Sequence, residues 1–366
     1  MKYFPNSGLF YSTLFFLVFT TSTFAESQAI VPQDDVIDLS NLLGSGGSEI
    51  VAVNDQGVVL GQYDVEETVG LNAPFIFGPG FSVEKIEQVD GNDTEVIDIN
   101  NNRELLAEWH VFSEGGEGKK TPVIYREGWI EATPLTSVSK INNNGDVLGL
   151  VDVQRGKLSS SVAVLKSDGT VVDIMEGMSD CDEEIAGDCD GEYRLDFDHF
   201  RFVRPIDIND NGQVLFNFVQ PGSGSSNHWP MVYTPGQGIK TIVLQNGKRR
   251  KGPRDINNNG VVLLSTSSRG HSSTHLYSSN DGTDLTPGSI FDPKINGTDG
   301  FTWFAHKIND SNIVAGEKIA FSLTDVSQTV TIDPSFETID MSNNYIIARD
   351  QAGKLVRYTL ESLPGQ

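Results

Sequence analysis

The chain has 366 residues, of which 50 are acidic and 26 are Lys or Arg, for a formal net charge of −24 at pH 7. That balance argues against nucleic acid and anionic membrane as partners, because both require clustered positive charge. It is equally what a well-solvated acidic surface looks like.

Read from the start, Lys2 precedes an apolar stretch from Leu9 to Phe19, and Thr23-Phe-Ala25 stands ahead of Glu26. This matches a secretory signal with a small residue at the cleavage point, so residues 1–25 are expected to be removed and the product to be secreted or periplasmic. No later segment is long and apolar enough to span a bilayer as a helix. A short lead, residues 26–35, comes before the strand-like Val36-Ile-Asp-Leu39.

A phrase of hydrophobic residue, Asn, two polar residues and Gly, followed by an apolar run, then recurs along the chain. It reads Ala52-Val-Asn-Asp-Gln-Gly57, Asp98-Ile-Asn-Asn-Asn-Arg103, Lys140-Ile-Asn-Asn-Asn-Gly145, Asp207-Ile-Asn-Asp-Asn-Gly212, Asp255-Ile-Asn-Asn-Asn-Gly260, Lys307-Ile-Asn-Asp-Ser-Asn312 and Asp340-Met-Ser-Asn-Asn-Tyr345. The turn supplies the positive φ that a tight hairpin needs. The first Asn of each copy, or Ser342 in the last, is spaced 46, 42, 67, 48, 52 and 33 residues from the next. Seven copies at such periods point to a propeller or a repeat array.

One unit reads as four antiparallel strands: Glu49–Val53, Val58–Tyr63, Pro74–Phe77 and Val83–Ile86. Third strands recur as Pro122–Tyr125, Val162–Leu165, Pro230–Tyr233, His275–Tyr277, Ile319–Phe321 and Leu355–Tyr358. With Pro74–Phe77 these make seven third strands; fourth strands follow the first six, and little chain remains after Tyr358 for another. The segment Val36–Leu39 would complete the last unit, so the expected fold is all-β: a seven-bladed β-propeller of four-stranded antiparallel blades over residues 36–363, closed by an N-terminal strand. An open solenoid is the alternative.

The Ile-Asn-x-x-Gly turn coupled to a valine-rich strand and an aromatic third strand resembles the HAF-type extracellular repeat over most of the chain after Ala25. Asp38-Leu-Ser40 with Gly44–Gly47 matches that family's Asp-Leu-Gly segment loosely, and the literal His-Ala-Phe element is missing. The resemblance implies export and a propeller-like fold, with no catalytic residues to carry over.

In a four-strand blade the first-to-second and third-to-fourth turns lie at one end, and the other connections at the opposite end. The first set is short throughout. The second carries the length variation, including an insertion near 175–204, so the binding site is expected on the long-loop face. Cys181 and Cys189 sit in that insertion; in an oxidising compartment they are expected to form a disulfide, a metal or nucleophile role being the alternative. The neighbouring acidic run Asp180–Glu192 could hold calcium but has no complete ligand pattern, and no cofactor is expected. Asp207-x-Asn209-x-Asn211-Gly212 imitates the start of a calcium loop, yet Phe218 stands where a bidentate acid belongs, so the hairpin turn is the reading.

The same face should collect Arg201, Arg204, His228, Trp229, Arg254, Arg269, His271 and His275, together with Lys248-Arg-Arg-Lys251. Arg grips carboxylate or sulfate groups in a bidentate manner, and Trp stacks on sugars, so the expected ligand is an acidic polysaccharide or an envelope or extracellular protein. Charge runs are more often solvated loops paired with nearby acids, and that is the plainer reading of Lys248–Lys251. The leading expectation is therefore a binding or interaction module. The alternative is a uronate-type polysaccharide lyase with Arg204 or Arg254 neutralising the carboxylate, His228 or His271 as base and Tyr233 or Tyr277 as acid.

Overall fold

A computed structural model describes residues 36–37, 48–65, 71–78, 80, 83–87, 93–111, 118–155, 158–176, 202–220, 227–242, 252–268, 271–281, 283, 285, 305–316, 319–322, 329–331, 336–350 and 354–360. The signal-like segment, Cys181, Cys189, Asp180–Glu192 and Lys248–Lys251 lie outside them.

In chain order, β1 (Val36–Ile37) precedes a first full sheet of β2 (Ser48–Val53), β3 (Val59–Asp64), β4 (Asn72–Phe77) and β5 (Val83–Lys85). The second sheet is β6 (Asp93–Ile99), β7 (Leu105–Val111), β8 (Lys119–Tyr125) and β9 (Trp129–Glu131). The third is β10 (Ser137–Ile141), β11 (Val147–Arg155), β12 (Leu158–Leu165) and β13 (Val171–Asp173). The fourth is β14 (Phe202–Ile208), β15 (Val214–Gln220), β16 (Asn227–Thr234) and β17 (Gly238–Thr241). β18 (Gly252–Ile256), β19 (Val261–Ser268) and β20 (His271–Ser278) form a three-stranded sheet. Next come β21 (Ala305–Ile308), β22 (Ile313–Gly316), β23 (Ile319–Ser322) and β24 (Thr329–Thr331). The last sheet joins β25 (Phe336–Met341), β26 (Tyr345–Asp350) and β27 (Leu355–Thr359) to β1, with Val36 opposite Val356.

The protein is an all-β propeller of four-stranded antiparallel blades, with one correction to the sequence reading. Six sheets have four strands, and the sheet after β17 has three among the described residues. A fourth strand was expected after Tyr277. Among the described residues after it, Leu285 N donates to Leu276 O and Thr283 O accepts Ser278 N, both at 2.9 Å, without a fourth strand being formed.

The middle strands are buried on both faces, which explains their continuous apolar runs in place of alternation. Val147 of β11 joins one interblade layer and its neighbour Leu148 the next. In the layer between the third and fourth sheets, Leu148, Val162 and Val164 meet Ile208, Val214 and Phe216, all buried. Each such side chain contributes about 1.5–3 kcal/mol. A comparable layer packs Ile50, Val59 and Phe75 of the first sheet against Ile347 and Leu355 of the last.

The repeated turns are Asx turns. Asn209 Oδ1 accepts Asn211 N at 3.1 Å and Gln213 N at 2.9 Å, and Gly212 has φ 73°. The side chain of Asn209 thus satisfies the turn's own backbone, in keeping with the hairpin reading.

Candidate functional site

A second periodic device accompanies the turns. In every sheet the register between the first and second strands slips by one residue: at Val51, Ile97, Ser139, Ile206, Arg254, His306 and Ile339. A bulge re-aims the residues around it. The residue after each bulge, two before the repeated Asn, is Ala52, Asp98, Lys140, Asp207, Asp255, Lys307 and Asp340 in turn. All seven line a cavity of about 220 Å³, six of them charged, with Arg254 and Ser139 beside them.

The six charged groups are arranged with little slack. Asp98, Asp207 and Asp255 each accept the backbone N–H of the next sheet's isoleucine: Ile141 at 3.0 Å, Ile256 at 3.0 Å and Ile308 at 2.7 Å. Asp340 does the same for Val53 of the first sheet at 2.9 Å. Lys140 Nζ lies 2.8 Å from Asp98 Oδ1, and Lys307 Nζ lies 3.0 Å from Asp340 Oδ1.

Burial opposes the charge of Lys307, but Asp340, Asp255, Asp207 and Asp98 outweigh it and hold the ammonium well above the ordinary lysine range. Burial likewise opposes the charge of Lys140, with Asp98 first among the carboxylates that overcome it. Asp255 behaves in the opposite way. Burial, and then the adjacent Asp207 carboxylate to which it is hydrogen-bonded, push it well above the usual range.

Above this charged layer, the turns are tied to one another. Backbone N–H groups donate from Asp55 to Asn101, Asn101 to Asn143, Asn143 to Asp210, Asp210 to Asn258, Asn258 to Asp310, and Asp310 to Asn343, at 2.7–2.9 Å. Asn343 N then donates to Asp55 Oδ1 at 2.7 Å. Deeper in the turns, Asn54, Asn100, Asn142, Asn209, Asn257 and Asn309 each send Nδ2 to a carbonyl of the next turn. These residues line a polar cavity of about 150 Å³.

The residues expected to form the site are partly gathered. Arg204 pairs with Asn217 in register, Trp229 with Phe218 and His228 with Val219, so all three belong to the long-loop end of one sheet. The Arg204 side chain is exposed, with its guanidinium 4.9 Å from the Phe202 ring centre. Trp229 is half-buried against the apolar layer below. Arg254 lies apart from that group, at a bulge of the cavity lining.

His275 is half-buried on β20. Arg201 and Arg269 lie outside the described residues, as do the side chains of His228 and His271. The acid and base candidates of the lyase alternative are not brought together within either sheet. Tyr233 is five residues along β16 from His228, and Tyr277 six along β20 from His271, about 17–20 Å in each case. Tyr233 and Tyr277 pack against apolar layers, and burial and then Asp281 raise the Tyr277 hydroxyl above its ordinary range.

Sequence reasoning missed the charged layer. Its signal was present: the residue two before the repeated Asn, or before Ser342, is charged in all copies but the first. It missed a second cluster as well, Asp93, Glu95, Glu108, His110 and Lys120, where two short alternating patterns meet across β6, β7 and β8.

No protein-family model matches the chain, and no curated protein matches it in sequence. Solved structures do. The propeller domain of the trilobed protease from Pyrococcus furiosus, described as having an open velcro topology, is similar over 88% of this chain and 94% of its own, at 9% identity and TM-score 0.52. Prolyl oligopeptidase B from Galerina marginata is similar over 88% of this chain and 49% of its own, at 11% identity and TM-score 0.52. TolB from Acinetobacter baumannii is similar over 65% of this chain and 53% of its own, at 14% identity and TM-score 0.39. The chain thus spans about half the length of the last two. At these identities the likeness establishes the β-propeller fold and nothing finer.

Proposed function

We propose that the protein is an exported binding or interaction module: a closed seven-bladed propeller, its three-stranded sheet counting as a blade, that presents its long-loop face to an acidic polysaccharide or an envelope partner. The observation that carries this reading is the asymmetry of the two ends. The turn end is consumed by interblade hydrogen bonds that run from Asp55 round to Asn343 and back. The connections of variable length leave from the other end, where the sheet of β14–β17 carries Arg204, His228 and Trp229. Rigid scaffolds with one elaborated face are where binding sites are commonly built. Closure is further supported by the Ile50–Ile347 layer and by the pairing of β1 with β27. Export rests on the signal-like N-terminus, and the HAF-type resemblance agrees with it.

The test is size-exclusion co-elution of the protein with uronate-rich, sulfated and neutral polysaccharides, together with the Arg204→Ala and Trp229→Ala variants. Co-elution with an anionic polymer that weakens in Arg204→Ala and in raised salt supports the reading. Absence of co-elution with any polymer rejects the glycan and leaves a protein partner. Shortening of a polymer with new ultraviolet absorbance would replace the reading by the lyase.

A further inference from the structure

The cluster on the second sheet belongs to neither cavity lining and shares no sheet with Arg204, His228 and Trp229. β6 and β7 are in register so that Asp93 stands opposite His110 and Glu95 opposite Glu108; Lys120 of β8 stands opposite His110. Residues two apart on a strand share a face, and so do cross-strand partners. All five side chains are therefore on one surface. Glu95 facing Glu108 is a like-charge pair that repels unless a cation lies between them.

The ammonium of Lys120 fills that role, 2.9 Å from Glu95 Oε2 and 3.2 Å from Glu108 Oε2. Three carboxylates, counting Asp93, face this one ammonium. A second observation concerns His110. Its Nε2 is buried 2.9 Å from Glu95 Oε2, yet it is not aligned for a hydrogen bond there. On the other side of the ring, Nδ1 is 3.6 Å from Asp93 Oδ2, and Asn72 holds the other Asp93 oxygen through its backbone N–H at 2.8 Å and its amide at 3.1 Å. A carboxylate behind the far nitrogen of a histidine is the arrangement that orients an imidazole toward a metal.

The geometry points to a divalent metal site of zinc type formed by His110, Glu95 and Glu108, with Asp93 orienting the histidine and the metal taking the place of the Lys120 ammonium. One imidazole and two carboxylates is a ligand set that zinc accepts, leaving a fourth position for water or a ligand carboxylate. The three donor atoms already lie within 4.8 Å of one another. A tetrahedral zinc needs them about 3.3 Å apart, so modest side-chain rotation completes the site. Glu108 provides an anchor, because its other oxygen accepts Val138 N of the next sheet at 3.3 Å and its side chain is 7% exposed. Lys120 is 53% exposed and free to swing into solvent.

The test uses untagged, chelator-treated protein titrated with zinc chloride by calorimetry, with cobalt(II) absorption as a spectroscopic check and melting curves to confirm that each variant is folded. One zinc per chain is expected, weakened at least tenfold in His110→Ala and in Glu108→Gln. Lys120→Met should bind tighter than the parent, because the competing ammonium is gone; a merely structural ion-pair cluster would not respond in that way. Absence of zinc binding at millimolar metal overturns the proposal. So does binding that is unchanged in His110→Ala, which would place the metal elsewhere.

Discussion

Asn209 shows how much one side chain can carry in this fold. It caps two backbone N–H groups of its own turn and donates to Asn257 O of the next sheet at 2.9 Å. Replacing it with Ala removes these bonds and leaves buried groups unsatisfied. The expected loss is about 2–4 kcal/mol at unchanged m-value in urea, whereas Asn211→Ala, at an exposed position, should cost under about 1 kcal/mol. Asp255 makes a prediction about pH. Its folded-state carboxyl holds a proton more tightly than in the unfolded chain, where the ordinary value is about 3.9. Between that value and the raised one the native state binds more protons, so this group's contribution to stability falls as pH rises through the window. Asp255→Asn keeps an acceptor for Ile308 N and removes the titration. Urea midpoints of parent and variant should diverge from pH 4 to pH 8 in the variant's favour, and a constant difference would refute the assignment.

At the scale of the element, the bulge imposes a steric demand on the strand beside it. Gly149 of β11 lies opposite Val138, next to the bulge at Ser139. A Cβ added there would stand 2.2 Å from Ser137 O, which is backbone and cannot rotate away. Gly149→Ala should therefore cost about 2–3 kcal/mol by overpacking. Gly128, with nothing within 4 Å of an added Cβ, should accept Ala nearly neutrally; thermal melts of the two variants make the comparison. Strand identity was legible in the sequence because the middle strands are short apolar runs between Asn and Gly turns. The bulges were not, since an extra residue in a first strand is defined only by its partner. The strand expected after β20 is not found among the described residues, where the sheet has three strands.

At the scale of the whole molecule, the sheets depend on one another through interblade layers and through the hydrogen-bonded turns. β1 is the far end of the chain added to the last sheet. Starting the chain at residue 40 would strip β1 and leave β27 as an open edge. The melting temperature should fall and the protein should begin to self-associate, both measurable by scanning calorimetry and light scattering. An unchanged melt would mean that β1 contributes nothing to the last sheet. Among the described residues no helix is long and apolar enough to cross a membrane.

The sequence by itself determined the repeat, the turn chemistry, the all-β class and the uneven lengths of the connections. These properties depend on neighbours a few residues apart, and local patterns carry them. It assigned Arg204, His228 and Trp229 to one face among a longer set, and the register of β14 to β16 is what sets these three at one end of a sheet. Only the tertiary structure decided which residues meet across sheets. Asp207 and Asp255 are far apart in the chain, as are Lys307 and Asp98, and nothing local to either announces the other. Glu95, Glu108, His110 and Lys120 likewise become a cluster only when three strands are set in register. The charged layer and the metal-type cluster therefore came from the fold, because electrostatic contact depends on distance in space and a linear pattern records only distance along the chain.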